Sequence, residues 1–148
     1  MKRFSMKLLI VMATLIVLDF LWLKLIFRLD HPSPLSPLVR ISGGSPDDPL
    51  PTSVLLYALM AWSLLYFSWN ATRTRRLSRR ILHSALFGLG LFAVYECSNY
   101  LAFPNADPRI LVADVLWGSA LFAGSALAIA LFEKYESAKD ALFSHVKG

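Results

Sequence analysis

Three carboxylates stand inside long apolar stretches of this chain: Asp19, Glu96 and Asp114. At the centre of a helix in lipid such a group costs about 2.5 kcal/mol or more, so it is placed where it pairs, binds or transfers something. Two of the three open the same phrase. Asp19-Phe20-Leu21-Trp22 and Asp114-Val115-Leu116-Trp117 are both Asp-x-Leu-Trp, and the third lies in Tyr95-Glu96-Cys97-Ser98-Asn99. On a helix, residues three or four apart are neighbours. Asp19 then shares a face with Trp22, Glu96 with Asn99, and Asp114 with Trp117 and Gly118. A buried indole N–H needs an acceptor, and a carboxylate on an adjacent helix would supply it. This cluster is suited to three kinds of chemistry: interhelical hydrogen bonding that pins register, capture of a cation, proton or polar head group, and acid–base catalysis.

Other chemistry is poorly served. His31 falls in a loop, His83 at the start of an apolar stretch and His145 near the end of the chain, all away from the acids, which disfavours a histidine triad or a zinc site. Asp19, Glu96, Asn99 and Asp114 are oxygen donors of the type that hold Ca²⁺ or Mg²⁺, but no spacing demands a metal, and neither a metal nor an organic cofactor is expected. The single cysteine, Cys97, excludes an intrachain disulfide and any CxxC site; it is expected to pack as a small residue. There is no Walker loop and no strand-borne GxGxxG, and Gly88-Leu89-Gly90 sits in an apolar helix as a packing feature.

The elements that must position these residues follow from hydropathy. The chain has 148 residues, is 56% hydrophobic and has a mean hydropathy of +0.53. That is too apolar for an ordinary soluble domain and fits one small integral membrane domain spanning residues 1–148. Four apolar spans are expected, over residues 7–27, 52–69, 81–103 and 110–132. Each is about long enough to cross a hydrocarbon core of roughly 30 Å, and helices are required because single strands would leave backbone groups unpaired in lipid. Lys2-Arg3 before an apolar run resembles a secretory signal, but the run continues through Phe20-Leu21-Trp22-Leu23 without a small-x-small cleavage site, so a retained helix is expected. Residues 28–51 hold most of the prolines and Gly43-Gly44. They form an irregular loop, with a short amphipathic piece over 35–41, that serves as a solvated connector or docks a partner. Residues 133–148 make a charged tail, with Tyr135, Ala138, Ala141, Leu142 and Val146 roughly on one side. It continues the last helix or lies on the membrane surface.

Orientation follows from charge placement. Four spans put both termini and the second loop on one side. That side carries Lys2, Arg3 and Lys7, the cluster Arg73, Arg75, Arg76, Arg79 and Arg80, and Lys134, Lys139 and Lys147; the other has only Arg28, Arg40 and Arg109. The positive-inside rule places both termini in the cytoplasm or its organellar equivalent. The net charge of +5 is thus read as topology and contact with acidic lipid, not as a nucleic-acid surface. Asn70-Ala71-Thr72 matches a glycosylation sequon but falls on the cytoplasmic side and is read as chance. In this topology Asp19, Glu96 and Asp114 come to a similar depth, about 7 to 12 Å inside the outer boundary at 1.5 Å per residue, with Lys24 and Arg109 approaching from the rim. Ser84 and Gly88, then Ala120, Gly124 and Ala128, are spaced by four as in small-xxx-small helix contacts.

The Asp-x-x-Trp phrase in the first span, Tyr95-Glu96-Cys97-Ser98-Asn99 in the third and Asp114-Val115-Leu116-Trp117-Gly118 in the fourth together resemble the DUF2177 family of small membrane proteins. The resemblance covers the first span and residues 83–131, and is weaker in the second span. The third motif departs from the family's Tyr-Asp-Leu-Thr-Asn pattern at Glu96, Cys97 and Ser98; charge and hydroxyl are kept but the carboxylate reaches further. The long Pro-rich first loop is also unusual. The resemblance implies a four-helix membrane protein and no particular activity.

The combined expectation is an all-α, four-helix transmembrane bundle with cytoplasmic termini, in an inner, plasma or organellar membrane. It acts as a non-enzymatic subunit or assembly protein that meets the bilayer and other membrane proteins or further copies of itself. The alternatives are a small transporter or channel using the acidic cluster for a cation, proton or polar solute, and a lipid-binding or lipid-modifying protein.

Overall fold

The computed structural model describes residues 2–29, 49–102 and 107–146, with side chains over 3–22, 54–102 and 107–142. All the described secondary structure is helical. Helix α1 is Lys2–Leu29, α2 is Pro49–Ser63 and continues without a break into a π-helical segment, Leu64–Asn70, α3 is Leu77–Ala102, and α4 is Pro108–Val146. The Pro-rich segment 30–48, including the piece over 35–41, lies outside the described residues, as does Pro104.

Local chemistry explains the helix starts. Proline lacks the N–H that a first helical turn leaves unpaired anyway, and Pro49 and Pro108 both stand at the first helical position. Asp107 caps α4: its carboxylate accepts the Arg109 N–H at 2.8 Å, and its carbonyl accepts Ile110 N–H at 3.1 Å. Between the π-helical segment and α3, the chain turns through Arg73 N–H to Asn70 O at 3.2 Å and Arg75 N–H to Thr72 O at 2.9 Å.

Among the described residues three helices are long and apolar enough to cross a membrane: Arg3–Trp22, Leu77–Ala102 and Pro108–Leu142. Among the described side chains the second helix offers a shorter apolar run, Val54–Asn70, within a helix that extends from Pro49 to Asn70 and so covers the expected span. Its last two turns are π-helical, and the wider winding gains less height per residue. The charged tail is the continuation of α4, which runs unbroken to Val146.

The helices pack in chain order around a ring: α1 against α2, the π-helical segment against α3, α3 along α4, and α4 back against α1. The core is made at helical spacing by Val11 and Leu15 of α1, Met60, Ala61, Leu64, Leu65 and Trp69 of the second helix, and Leu121, Phe122, Ala126 and Ile129 of α4. Helix α3 contributes only Ser84 and Gly88 as fully buried residues. It approaches α4 by having no side chain in the way. A Cβ on Gly88 would collide with the backbone oxygen of Gly118 and stand 2.6 Å from the Cβ of Phe122, while a Cβ on Gly118 would collide with the Phe92 ring. Outside this seam, large apolar side chains such as Leu9, Val17, Leu55, Leu82, Val94 and Leu131 face outward. Lipid satisfies such a surface, and the helices are then held by close packing and interhelical hydrogen bonds.

Candidate functional site

Contacts between α1 and α4 run in opposite orders along the two helices. Arg3 meets Asp140 at one end, and Trp22 meets Asp114 towards the other. The helices are therefore antiparallel, and each tryptophan, lying C-terminal to the aspartate of its own phrase, arrives level with the aspartate of the other. Trp22 donates its indole N–H to Asp114 Oδ1 at 2.8 Å, and Trp117 donates to Asp19 Oδ1 at 3.3 Å. The two indole rings stack between these bonds, with centroids 4.7 Å apart and planes 6° from parallel. Tyr57 of α2 donates its hydroxyl to Asp19 Oδ2 at 2.6 Å, so both oxygens of Asp19 are engaged. The result is a reciprocal clamp of two Asp-x-x-Trp phrases, with a third helix tied to it through Tyr57.

Glu96 and Asn99 join this end from α3. Asn99 Nδ2 donates to Glu96 Oε1 over 3.5 Å, a long bond within one helix face. Glu96 is close enough to Asp114, and Asp114 to Asp19, for their charges to interact. All three carboxylates are half-buried, and among the described residues none forms an ion pair. Arg109 is exposed, and the side chain of Lys24 lies outside the described residues. Among the described residues no group of three or more His, Cys, Asp or Glu is placed to hold a metal.

The packing residues divide. Gly88 and Gly118 make the α3–α4 seam, and Gly124 faces Leu18 of α1, whose Cδ1 would lie 3.0 Å from an added Cβ. Ser84 is buried and its hydroxyl meets that of Ser68 at 2.8 Å. Ala128 is half-buried, whereas Ala120 is exposed. Cys97 is exposed as well.

The basic cluster divides too. Arg73, Arg75, Arg76 and Arg79 are exposed, but Arg80 folds inward with its guanidinium 3.4 Å from the Trp69 ring centroid. Arg80 also donates to Trp69 O at 3.3 Å and pairs with Glu133 at 3.5 Å. Glu133 further accepts the Lys7 ammonium and, at 3.1 Å, the Trp69 indole N–H. Arg3 pairs with Glu136 at 3.5 Å and Asp140 at 2.8 Å. This ion network ties the N-terminal end of α1 to the extension of α4, at the opposite end from the clamp. Its acids, Glu133, Glu136 and Asp140, recur at helical spacing opposite Arg3 and Lys7, and that spacing is a signal the sequence carried. Tyr57 carried no such signal.

A scan against family models matches residues 4–131 to a family described as a predicted membrane protein, DUF2177. The chain belongs to the DUF2177 family. The match takes in all four helices, with the clamp, Glu96 and Asn99, and it ends two residues before Glu133 of the ion network. No curated protein matches the chain, and no solved structure does. Family membership thus supports a membrane protein and leaves its role to the chemistry of its own residues.

Proposed function

We propose that this chain is a non-enzymatic subunit of a membrane assembly, a small helical bundle that joins other membrane proteins or further copies of itself. The observation that supports this is the use made of the aspartates. Both oxygens of Asp19 and one of Asp114 accept hydrogen bonds from side chains on neighbouring helices. Groups committed in this way hold helices in register. The test is reconstitution into liposomes of the wild type and of Asp19→Asn, Glu96→Gln and Asp114→Asn, together with native mass spectrometry after mild detergent extraction from the host membrane. Flux of protons and cations should match empty liposomes in all four, and the extracted wild type should carry membrane proteins or further copies at fixed stoichiometry. Wild-type flux that the amide variants lose would sink this reading, as would a wild type that extracts only as a single chain.

One observation favours a second reading, a small carrier for a cation, proton or polar solute. Among the described residues Glu96 accepts a single long side-chain bond, from Asn99, and the three carboxylates share one region without a described basic partner. The flux measurement separates the two.

The proposal includes an orientation. The structure brings the two ends of the chain together through Arg3 and Asp140, and the exposed arginines of the turn before α3 belong to the same end as the ion network through Arg80 and Glu133. By the positive-inside rule this end faces the cytoplasm. Reporters fused to either terminus should be active only in the cytoplasm, and a reporter exported at either terminus would reverse the assignment.

A further inference from the structure

The end of the bundle that carries the ion network is unevenly neutralised. Its acids Glu133, Glu136 and Asp140 are taken by Lys7, Arg80 and Arg3. Arg73, Arg75, Arg76 and Arg79 have no ion-pair partner among the described residues. Two hollows open here. One is lined by Lys7, Asn70, Arg73, Arg80 and Glu133, and so contains its own counter-charge. The other is lined by Ala71, Thr72, Arg75, Arg79 and His83 and contains no acid.

The acid-free hollow is built on ordered backbone. The Arg75 N–H bonds Thr72 O at 2.9 Å, and the Thr72 hydroxyl donates to Ser68 O at 2.7 Å. The imidazole of His83 is held through Nδ1 by the buried Ser68 hydroxyl at 3.0 Å, and that hydroxyl is itself fixed by Ser84 at 2.8 Å. Two arginines and a histidine with a held imidazole therefore line one concavity. Guanidinium presents a planar fork of N–H donors that matches phosphate oxygens.

Its depth is marked by aromatic residues. Tyr66 and Phe67 are exposed about a turn before Ala71, Trp62 stacks on Tyr66 at 5.3 Å, and Tyr135 is exposed beside Lys134 on α4. Exposed aromatic side chains at the end of apolar helices sit at the level of the lipid head groups. The anion present there at high density is the phosphate of acidic phospholipid.

We propose that the hollow bounded by Arg75, Arg79 and His83 binds the phosphate of an anionic phospholipid in the leaflet around this end of the bundle. This site does not depend on the role assigned to the carboxylates. The test is native mass spectrometry of the full-length protein from micelles doped with phosphatidylglycerol or phosphatidylcholine. It compares the wild type with Arg75→Gln/Arg79→Gln and with Arg73→Gln/Arg76→Gln, which removes equal charge outside the hollow. The wild type should retain phosphatidylglycerol in preference to phosphatidylcholine. At roughly tenfold per charge-assisted guanidinium–phosphate hydrogen bond, Arg75→Gln/Arg79→Gln should weaken that retention about 100-fold, while Arg73→Gln/Arg76→Gln, which lowers surface charge outside the hollow alone, should cost clearly less.

Equal losses in the two double variants would show attraction by general surface charge and overturn the site, as would equal retention of the two lipids by the wild type. Inorganic phosphate is the competing arm. If it displaces phosphatidylglycerol at equal concentration, the site takes soluble phosphate and the lipid assignment is overturned; persistence of the lipid supports it. The charge-matched variant controls for the loss of two positive charges from this end of the bundle, and equal helicity of the two double variants in the same micelles separates loss of the site from misfolding.

Discussion

Gly88→Ala should destabilise the bundle by about 3 kcal/mol, at the upper end of the cost of overpacking. The added methyl has nowhere to go. It would collide with the backbone oxygen of Gly118 and with the root of the Phe122 side chain, and neither can swing aside as the tip of a flexible side chain can. The helices would have to separate along their closest seam, losing packing on both sides of the contact. Gly90 is the internal control. It lies on the same helix with nothing within 4 Å of an added Cβ, so Gly90→Ala should be neutral or stabilising by about 0.5 kcal/mol through the lower chain entropy of alanine. Unfolding in mixed micelles, followed by helicity against denaturing detergent, ranks the two variants. Equal stability of Gly88→Ala and the wild type would mean that the seam is looser than its geometry states.

The second large effect concerns the clamp. Asp19→Ala removes the acceptor of two donors, the Trp117 indole and the Tyr57 hydroxyl. Asp114→Ala removes the acceptor of one, the Trp22 indole. A half-buried donor left without a partner loses about 1 kcal/mol or more, although interhelical bonds in membranes average only about 0.6 kcal/mol. The expected order of loss is therefore Asp19→Ala, about 1.5 kcal/mol, above Asp114→Ala, about 0.7 kcal/mol. Asparagine should be milder at either position, because its amide oxygen still accepts. The same unfolding assay gives the order, and a larger loss at Asp114 than at Asp19 would contradict the bond inventory.

Much of this arrangement was legible in the residues. Long apolar runs have few options in lipid, so hydropathy alone led to a helical bundle. The repeated Asp-x-Leu-Trp phrase put an acceptor and a donor on one helix face, and antiparallel packing was then enough to exchange them between helices. The share of Tyr57 was not legible. In the apolar run of the second helix it looks the same as Tyr66, yet one bonds Asp19 and the other faces outward. What distinguishes them is rotation of the helix, and nothing in its near-uniform hydrophobicity states that rotation.

The five arginines posed the same difficulty. In the sequence Arg80 is one of a run. The π-helical segment, whose wider turn carries no periodic signature, brings Trp69 under it and turns it inward to Glu133. Helical spacing likewise does not tell which small residue meets a neighbouring helix: Gly118 lies against Phe92 and Gly124 against Leu18, while Ala120 on the same helix is exposed.

In the proposed role the intramembrane aspartates hold helices together. This is tested most directly by a double-mutant cycle between Trp22→Phe and Asp114→Ala, which keeps an aromatic ring against Trp117 while removing the hydrogen bond from either side. A coupling of about 0.6 kcal/mol in unfolding free energy is expected, with the double variant little worse than the poorer single one. Strictly additive losses would contradict it, because Asp114 would then be placed in the membrane for something other than its bond to Trp22.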